Sequence, residues 1–172
     1  MSDVGAGPIV REPVLRAPAN RVSPQAIGFW TVSALIGDVV LVIGALVAWL
    51  VIQGAPGWVG LLVLLLAVAA VAHVVLMPRI RYRVHRWEVT DTAIHTRAGW
   101  ITISSRIAPL SRVQTVDSRQ GALMRVFGLA SLTVTTASAA GPITIDCLDA
   151  AQARELVATL TEITGASEGD AT

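Results

Sequence analysis

The chain has 172 residues, of which 53% are hydrophobic, and its mean hydropathy of +0.65 is too high for an ordinary soluble protein. This length has room for one membrane anchor and one small domain. The formal net charge is only +1, and all 13 basic residues are arginines. That charge density argues against nucleic-acid binding. The single cysteine, Cys147, excludes an internal disulfide and a cysteine-cluster metal site.

The first half of the chain is predicted to be an arm followed by a membrane hairpin. Residues 1–26 contain several prolines and glycines, which indicates a flexible arm. A nearly uncharged region follows, with Asp38 as its single formal charge. A bilayer core of about 30 Å needs about 20 apolar residues in a helix, and residues 27–52 and 58–77 are both long enough. The break at 53–57 contains Pro-Gly and predicts the turn of a transmembrane hairpin over 27–77.

The arginines predict the orientation of this hairpin. They flank it on both sides, and the turn has none: Arg11, Arg16 and Arg21 come before it, and Arg79, Arg81, Arg83 and Arg86 come after it. By the positive-inside bias, both termini are expected in the cytoplasm of a multi-pass protein of the cell membrane. Trp30 would then lie at the inner interface of the membrane.

Asp38 and His73 are predicted to pair across the hairpin. Each lies 15 residues from the turn, counted from Gln53 and from Trp58 respectively, so the two have a similar depth in an antiparallel hairpin. A charge in hydrocarbon is costly and carries a functional hypothesis by default. The pair is either a proton-responsive or partner-binding site or a structural clasp, and Asp38 could also lie at the inner interface and be reached by water.

Small residues form a stripe along the first apolar helix. They are Ser33, Gly37, Gly44 and Ala48, and their spacings of four and seven place them on one face. Small side chains let another helix approach closely. The partner helix is either the second helix of the hairpin or a helix of another subunit.

Residues 81–164 are predicted to form one α+β domain made of short strands and a final helix. Turn signals separate candidate strands at 84–89, 93–97, 100–107, 113–118, 131–136 and 143–147. Within the third of these, Ile101, Ile103 and Ile107 fall on one face. Short strands with frequent turns are typical of an antiparallel sheet that closes toward a sandwich or barrel. A single helical turn at 122–127 is expected to end at Gly128.

The last element has helical periodicity. Asp149 is the predicted N-cap, with Gln152 as its capping-box partner, and Gly165 is expected to end the helix. The apolar stripe of this helix is Leu156, Val157, Leu160 and Ile163. Residues 165–172 are predicted to be a disordered tail.

Only three residues, Pro78, Arg79 and Ile80, separate the second apolar run from the domain. As extended chain they reach about 10 Å, so the domain is expected to rest against the membrane. In such a segment Arg79, Arg81 and Arg83 would alternate with apolar residues. They either face anionic lipid headgroups together or only set the topology.

Several motifs in the domain match a known pattern. They are Trp87–Asp91, Arg97–Trp100, Pro109–Asp117, Gly121, Phe127–Ala130 and Thr133–Thr135. The pattern resembles the YdbS-like family of bacterial membrane proteins with a pleckstrin-homology-like (PH-like) domain, over about residues 27–164. The resemblance implies a small, strongly bent antiparallel barrel or sandwich with a C-terminal capping helix, and no catalytic residues. It also implies association with a larger membrane protein that has related domains.

No catalytic or cofactor motif stands out in the sequence. The chain has no G-x-S-x-G, no P-loop, no G-x-G-x-x-G and no H-E-x-x-H, and its three histidines are scattered. We therefore predict a non-enzymatic protein without a cofactor or a metal. The lysine-rich loop with which eukaryotic domains of this fold bind inositol phosphates is also absent.

Four arginines of the domain form a basic run without interleaved aromatic residues: Arg106, Arg112, Arg119 and Arg125. They are either solvated or in a local ion pair with Asp117, or they form a docking surface for lipid headgroups or a protein. The candidate contacts of such a surface are Arg106, Arg112 and Arg125. Two functional hypotheses remain. The first is a scaffold or interaction subunit that binds another membrane protein with related domains, or a second copy of itself. The second is an anionic-lipid-sensing or transport-accessory protein.

Overall fold

The structure is a computed structural model that describes residues 16–52, 54–137 and 141–169, with side chains as far as residue 163. A short strand and two long helices come first: β1 (Asn20–Arg21), α1 (Gln25–Val51) and α2 (Gly57–Val84). The domain then consists of β2 (Arg86–Val89), β3 (Ala93–Gly99), β4 (Ile103–Pro109), β5 (Val113–Arg119), α3 (Ala122–Val126), β6 (Leu129–Thr136), β7 (Ile143–Asp149) and α4 (Ala150–Gly169).

Helices α1 and α2 form the predicted antiparallel hairpin, and both are long and apolar enough to cross a membrane. Most of their large apolar side chains point outward from the protein. Hydrocarbon accommodates such a surface, and a helix satisfies its own backbone hydrogen bonds there. Trp49 of α1 packs close to Gly60 of α2 near the turn. The hairpin therefore has lipid as its natural solvent along most of its length.

The extended linker predicted at Pro78–Ile80 is wrong, because α2 continues through these residues to Val84. Proline removes one helical hydrogen bond, but its fixed φ angle suits a helix, and membrane helices tolerate it. Pro78 is buried. The helix ends where the backbone N–H of His85 donates to the carbonyl of Arg81 at 2.8 Å. Strand β2 begins one residue later, so the helix passes directly into the domain.

The domain consists of two antiparallel sheets and a helix, which confirms the predicted fold class. The sheets have the strand orders β1-β2-β3-β4 and β5-β6-β7. Inward-facing residues of both sheets and of α4 are almost fully buried and form the core: Ile94, Leu129, Leu132, Val134, Leu148 and Leu160. Burial of each such side chain contributes about 1.5–3 kcal/mol relative to its exposure to water.

The flexible arm predicted at 1–26 is wrong for its described part, since residues 16–26 pack on the domain and begin α1. Asn20 and Arg21 form β1, which pairs with β2. The indole N–H of Trp87 donates to the carbonyl of Arg21 at 3.2 Å, and Val22 is buried. Pairing satisfies backbone groups that an arm would leave to water. Residues 1–15 lie outside the described part of the chain.

Helix α4 begins as predicted but extends further. Asp149 caps it, because the Asp149 Oδ1 atom accepts a hydrogen bond from the backbone N–H of Ala151 at 2.9 Å. The helix passes Gly165 and ends at Gly169, so the predicted tail is wrong over 165–169. A glycine inside a helix costs about 1 kcal/mol and does not by itself end it. Residues 170–172 are outside the described range.

Strand β4 starts and ends later than predicted, and most of its residues are exposed. It starts at Ile103, so Ile101 lies in the turn that joins it to β3. The side chains of Ile103 and Ile107 are 47% and 50% exposed. Among the described residues, no strand pairs with the outer edge of β4. The apolar face that the alternation indicated is therefore not part of the core.

Candidate functional site

The structure brings Asp38 and His73 together inside the hairpin. The Nδ1–H group of His73 donates to the Oδ2 atom of Asp38 across 2.8 Å. Asp38 also lines a groove of 580 Å³ between α1 and α2, whose other lining residues are all apolar. A carboxylate in hydrocarbon needs a partner, and His73 supplies one.

A tryptophan of the domain lies against this pair. The ring centroid of Trp100 is 5.5 Å from that of His73, at an interplanar angle of 49°. Trp100 belongs to the turn between β3 and β4. The domain therefore contacts the hairpin at the level of the half-buried Asp38–His73 pair as well as at its end.

A second cluster of side chains joins the end of α2 to α1. The ring of His85 lies 5.0 Å from the ring of Trp30, and the guanidinium of Arg81 is 4.9 Å from the centroid of Trp30. The His85 Nδ1–H group donates to the Arg81 carbonyl at 2.8 Å. Trp30 is only 2% exposed. We call Trp30, Arg81 and His85 the junction cluster.

The junction cluster favours a neutral histidine. Burial lowers the pKa of His85 from 6.5, and the positive charge of Arg81 acts in the same direction. The hydrogen bond to the Arg81 carbonyl and the negative charge of Asp146 oppose this shift and are weaker. His85 thus acts as a packed ring with one satisfied donor.

The start of α1 is held by β7 and by the residue that follows α3. The backbone N–H of Ser23 donates to the carbonyl of Cys147 at 3.0 Å. Cys147 has a φ of 58° and lies where the β6–β7 register shifts, which is typical of a β-bulge. Phe127 packs edge-on to Phe29 at 6.3 Å. A Cβ atom on Gly28 would lie 2.9 Å from the Phe127 ring, so a larger residue there would force the ring to shift.

The arginines that follow the membrane segment do not act as a set. Arg79 and Arg83 are exposed and lie four residues apart, on one face of α2. Arg79 donates to the Val75 carbonyl at 2.8 Å. Arg81 is turned toward Trp30 instead. The alternation predicted for an extended segment fails because the segment is helical.

The three arginines of the domain lie at different ends of it. Arg106 and Arg112 line one cavity of 360 Å³ beside β4, where Arg106 donates to the Pro142 carbonyl at 3.0 Å. Arg112 follows Pro109, the end of β4 that is opposite the β3–β4 turn. Arg125 lies on α3, next to Phe127 and the start of α1. The structure therefore does not bring these three arginines into a single surface.

Sequence reasoning missed the junction cluster and the contact of Trp100 with His73. The sequence predicts Trp30 at the inner interface of the membrane, whereas in the structure it is buried near the N-terminus of α1 against Arg81 and His85. The available signal was a histidine among arginines directly after an apolar helix. Nothing in the spacing indicated that Trp30 would meet it.

The comparisons with known proteins agree with this architecture. The family model for the bacterial PH domain matches residues 25–164, which include both helices of the hairpin. The chain is 27% identical over 151 residues to UPF0699 transmembrane protein YdbS of Bacillus subtilis (strain 168), which covers 86% of this chain and 95% of that protein. No solved structure matches the chain. The chain belongs to the bacterial PH domain family, as a YdbS-like membrane protein.

Proposed function

We propose that this protein is a non-enzymatic interaction subunit of a membrane complex, with its PH-like domain held at the cytoplasmic face. The observation that carries the proposal is the edge of β4. This strand has no neighbour on its outer side among the described residues, and it exposes Ile103 and Ile107. An open, apolar strand edge is a template for pairing with a strand of another chain.

The cavity beside β4 supports the same proposal. It is lined by Ile107 and Pro109 of β4 and by Thr136 and Ile143 of the second sheet. A partner strand that pairs with β4 can place side chains in this space. Candidate partners are a membrane protein with related PH-like domains and a second copy of this chain.

The hairpin offers a second contact surface. The small residues Ser33, Gly37, Gly44 and Ala48 are all exposed. A Cβ atom on Gly37 or Gly44 would meet no described atom within 4 Å, so this stripe does not pack on α2. Of the two alternatives for its partner, the helix of another subunit is the one that this exposure favours.

The cytoplasmic orientation is supported by the distribution of arginines. Arg16 and Arg21 lie before α1, Arg79 and Arg83 lie at the far end of α2, and the turn between the helices has no arginine. Both termini are therefore proposed to be cytoplasmic. The non-enzymatic character is supported by the family assignment.

The experiment is purification of the full chain from its native membrane in a gentle detergent, with partners identified by quantitative mass spectrometry. Ile107→Lys places a charge in the proposed contact, and an interface that depends on it should lose at least about tenfold in affinity, equal to about 1.4 kcal/mol. Gln114→Lys is the matched control, since Gln114 is exposed on β5, an edge strand of the other sheet. Equal recovery of the partner with both variants would contradict the proposal.

A second candidate function, the sensing of anionic lipid, is favoured by the position of Arg125. This residue lies on α3 beside the start of α1, where a lipid headgroup can reach it. Reconstitution with and without phosphatidylglycerol tests this candidate through the thermal stability of the protein. Arg125→Gln should remove any stabilisation by the anionic lipid, and Arg112→Gln, at the opposite end of the domain, should not. No stabilisation of the unmodified protein would exclude the candidate.

A further inference from the structure

We propose that the turn between β3 and β4, Trp100–Thr102, inserts into the leaflet of the membrane that is nearer to the domain. In this position the turn covers the Asp38–His73 pair. The partner of this surface is the bilayer itself. The inference concerns a different surface from the β4 edge, and it requires only that the hairpin spans a membrane.

The depth of His73 determines the depth of the turn. His73 lies 16 residues after Gly57, the first residue of α2, or about 24 Å at 1.5 Å per residue. A hydrocarbon core of about 30 Å that starts at Gly57 would therefore extend about 6 Å beyond His73. The Trp100 ring is 5.5 Å from the His73 ring. A domain that stayed in water could not make this contact.

The composition of the turn fits this depth. Ile101 is 79% exposed at its tip, and Trp100 beside it is 37% exposed. Trp100 is the residue type that is enriched where hydrocarbon meets headgroups. No residue from Gly99 to Ile103 carries a charge. In water the exposure of these apolar side chains costs free energy, whereas lipid would bury them.

The backbone holds the turn in one shape. Gly99 has a φ of 132°, and a Cβ atom there would lie 1.9 Å from the carbonyl oxygen of Thr102. Gly99 pairs with Ile103 across the hairpin, so three residues form a closed loop. The turn therefore has a fixed shape. It belongs to the sheet whose strand β2 follows α2 directly, so α2 and the sheet together hold the tip toward the bilayer.

A second apolar side chain marks the same side of the domain. Val126 is 80% exposed, and its neighbour Phe127 packs under Gly28 at the start of α1. Gly28 lies 23 residues before Val51, the last residue of α1, or about 35 Å from the outer end, which is the level of the headgroups. The turn and Val126 thus flank the two helices, with the turn at the greater depth.

The test uses the full chain in single-copy nanodiscs, with a fluorescent label on an introduced cysteine. Ile101→Cys reports on the tip. Asp91→Cys is the matched control, because Asp91 is exposed in the loop before β3, at the other end of that strand. Each label is quenched separately by lipids brominated near the top of the acyl chain and by aqueous iodide.

The expected result is that brominated lipid quenches the label at position 101 and iodide does not. At position 91, iodide should quench the label and brominated lipid should not. Quenching at position 101 by iodide alone would overturn the proposal. Protection that appears only when a second copy or a partner protein is added would also overturn it, because the turn would then be a protein interface. Neither result depends on Ile107, so failure here is distinct from failure of the proposed function.

Discussion

A histidine inside α2 and the histidine that follows its last residue have similar contacts and different surroundings. His73, inside α2, and His85, at its C-terminal end, each donate an Nδ1 hydrogen bond of 2.8 Å. Each also lies against a tryptophan, with centroids 5.5 Å apart for Trp100 and 5.0 Å apart for Trp30. His73 is bound to a carboxylate that lines an open groove, whereas His85 is bound to a backbone carbonyl and is buried.

This difference separates a structural site from a candidate functional one. Around His85, every contact joins elements of the protein to one another, so the junction cluster stabilises the position of the domain. Asp38, the partner of His73, lines an apolar groove between α1 and α2 that lipid or another helix can occupy. We therefore propose the Asp38–His73 pair, rather than His85, as the place to look for a response to protons or to a partner.

The largest effect is expected from removal of the junction cluster. Trp30→Ala should lower the free energy of unfolding by about 3–5 kcal/mol, because a buried aromatic ring is replaced by a cavity. Denaturant titration in detergent micelles measures this change. Trp58→Ala is the control, since Trp58 is exposed at the other end of the hairpin and should change the stability little. Equal effects of the two substitutions would mean that the junction does not hold the domain.

The next effect concerns pH and His85. The pKa of this residue is lowered from 6.5 in the folded protein. At a pH between the folded-state pKa and 6.5, His85 therefore binds more protons in the unfolded chain than in the folded protein. The free energy of unfolding should therefore fall as the pH falls below about 6.5, with no contribution from His85 above that pH. His85→Gln keeps a donor for the Arg81 carbonyl and should remove this slope. An unchanged slope in the variant would assign the pH dependence to other groups.

A smaller effect is expected at the pair in the hairpin. Hydrogen bonds between membrane helices average about 0.6 kcal/mol, so Asp38→Asn should change stability by about this amount. A double-mutant cycle with His73→Gln measures the coupling between the two side chains. Partner recovery should be measured on the same variants. If a variant recovers less of the partner protein with little loss of stability, the functional interpretation of Asp38 is supported. If recovery of the partner is unchanged, the Asp38–His73 pair is a structural clasp only.

The smallest effect is a rate of labelling. Cys147 is buried, and its pKa is raised to about 12, first by burial and then by Asp146, so the folded protein should react slowly with maleimide. Trp30→Ala should increase this rate, because the Cys147 carbonyl binds the segment that leads to Trp30. Asp38→Asn should leave it unchanged. Faster labelling of Cys147 in both variants would mean that loss of the Asp38–His73 pair also opens the junction cluster.

Much of this architecture could be predicted from local sequence. The lengths of the two apolar runs predicted the hairpin, and the equal distance of Asp38 and His73 from the turn predicted that they meet. Asp149 predicted the start of α4 through a local hydrogen bond. These features depend on residues that are close in sequence or on a simple count along a helix.

The contacts between distant segments could not be predicted in the same way. The sequence predicts that the second helix ends at Met77, before Pro78, but α2 continues through the buried Pro78 to Val84. The expectation of a flexible arm failed because Arg21 pairs with a strand that comes 65 residues later. Trp30 meets His85, the C-cap of α2, when α1 packs on α2, and Trp100 meets His73 only when the domain packs on the hairpin. Such contacts depend on the placement of whole elements, which the spacing of residues does not encode.

The most direct test of the central claim, that hairpin and domain form one rigid unit, is a distance measurement by pulsed electron spin resonance. Spin labels at Leu50→Cys, exposed at the C-terminal end of α1, and at Asp91→Cys, exposed in the domain, lie on opposite sides of the junction cluster. A single narrow distance distribution, the same in micelles and in nanodiscs, is predicted. A broad distribution, or one that changes with lipid composition, would contradict a rigid mounting of the domain on its membrane hairpin.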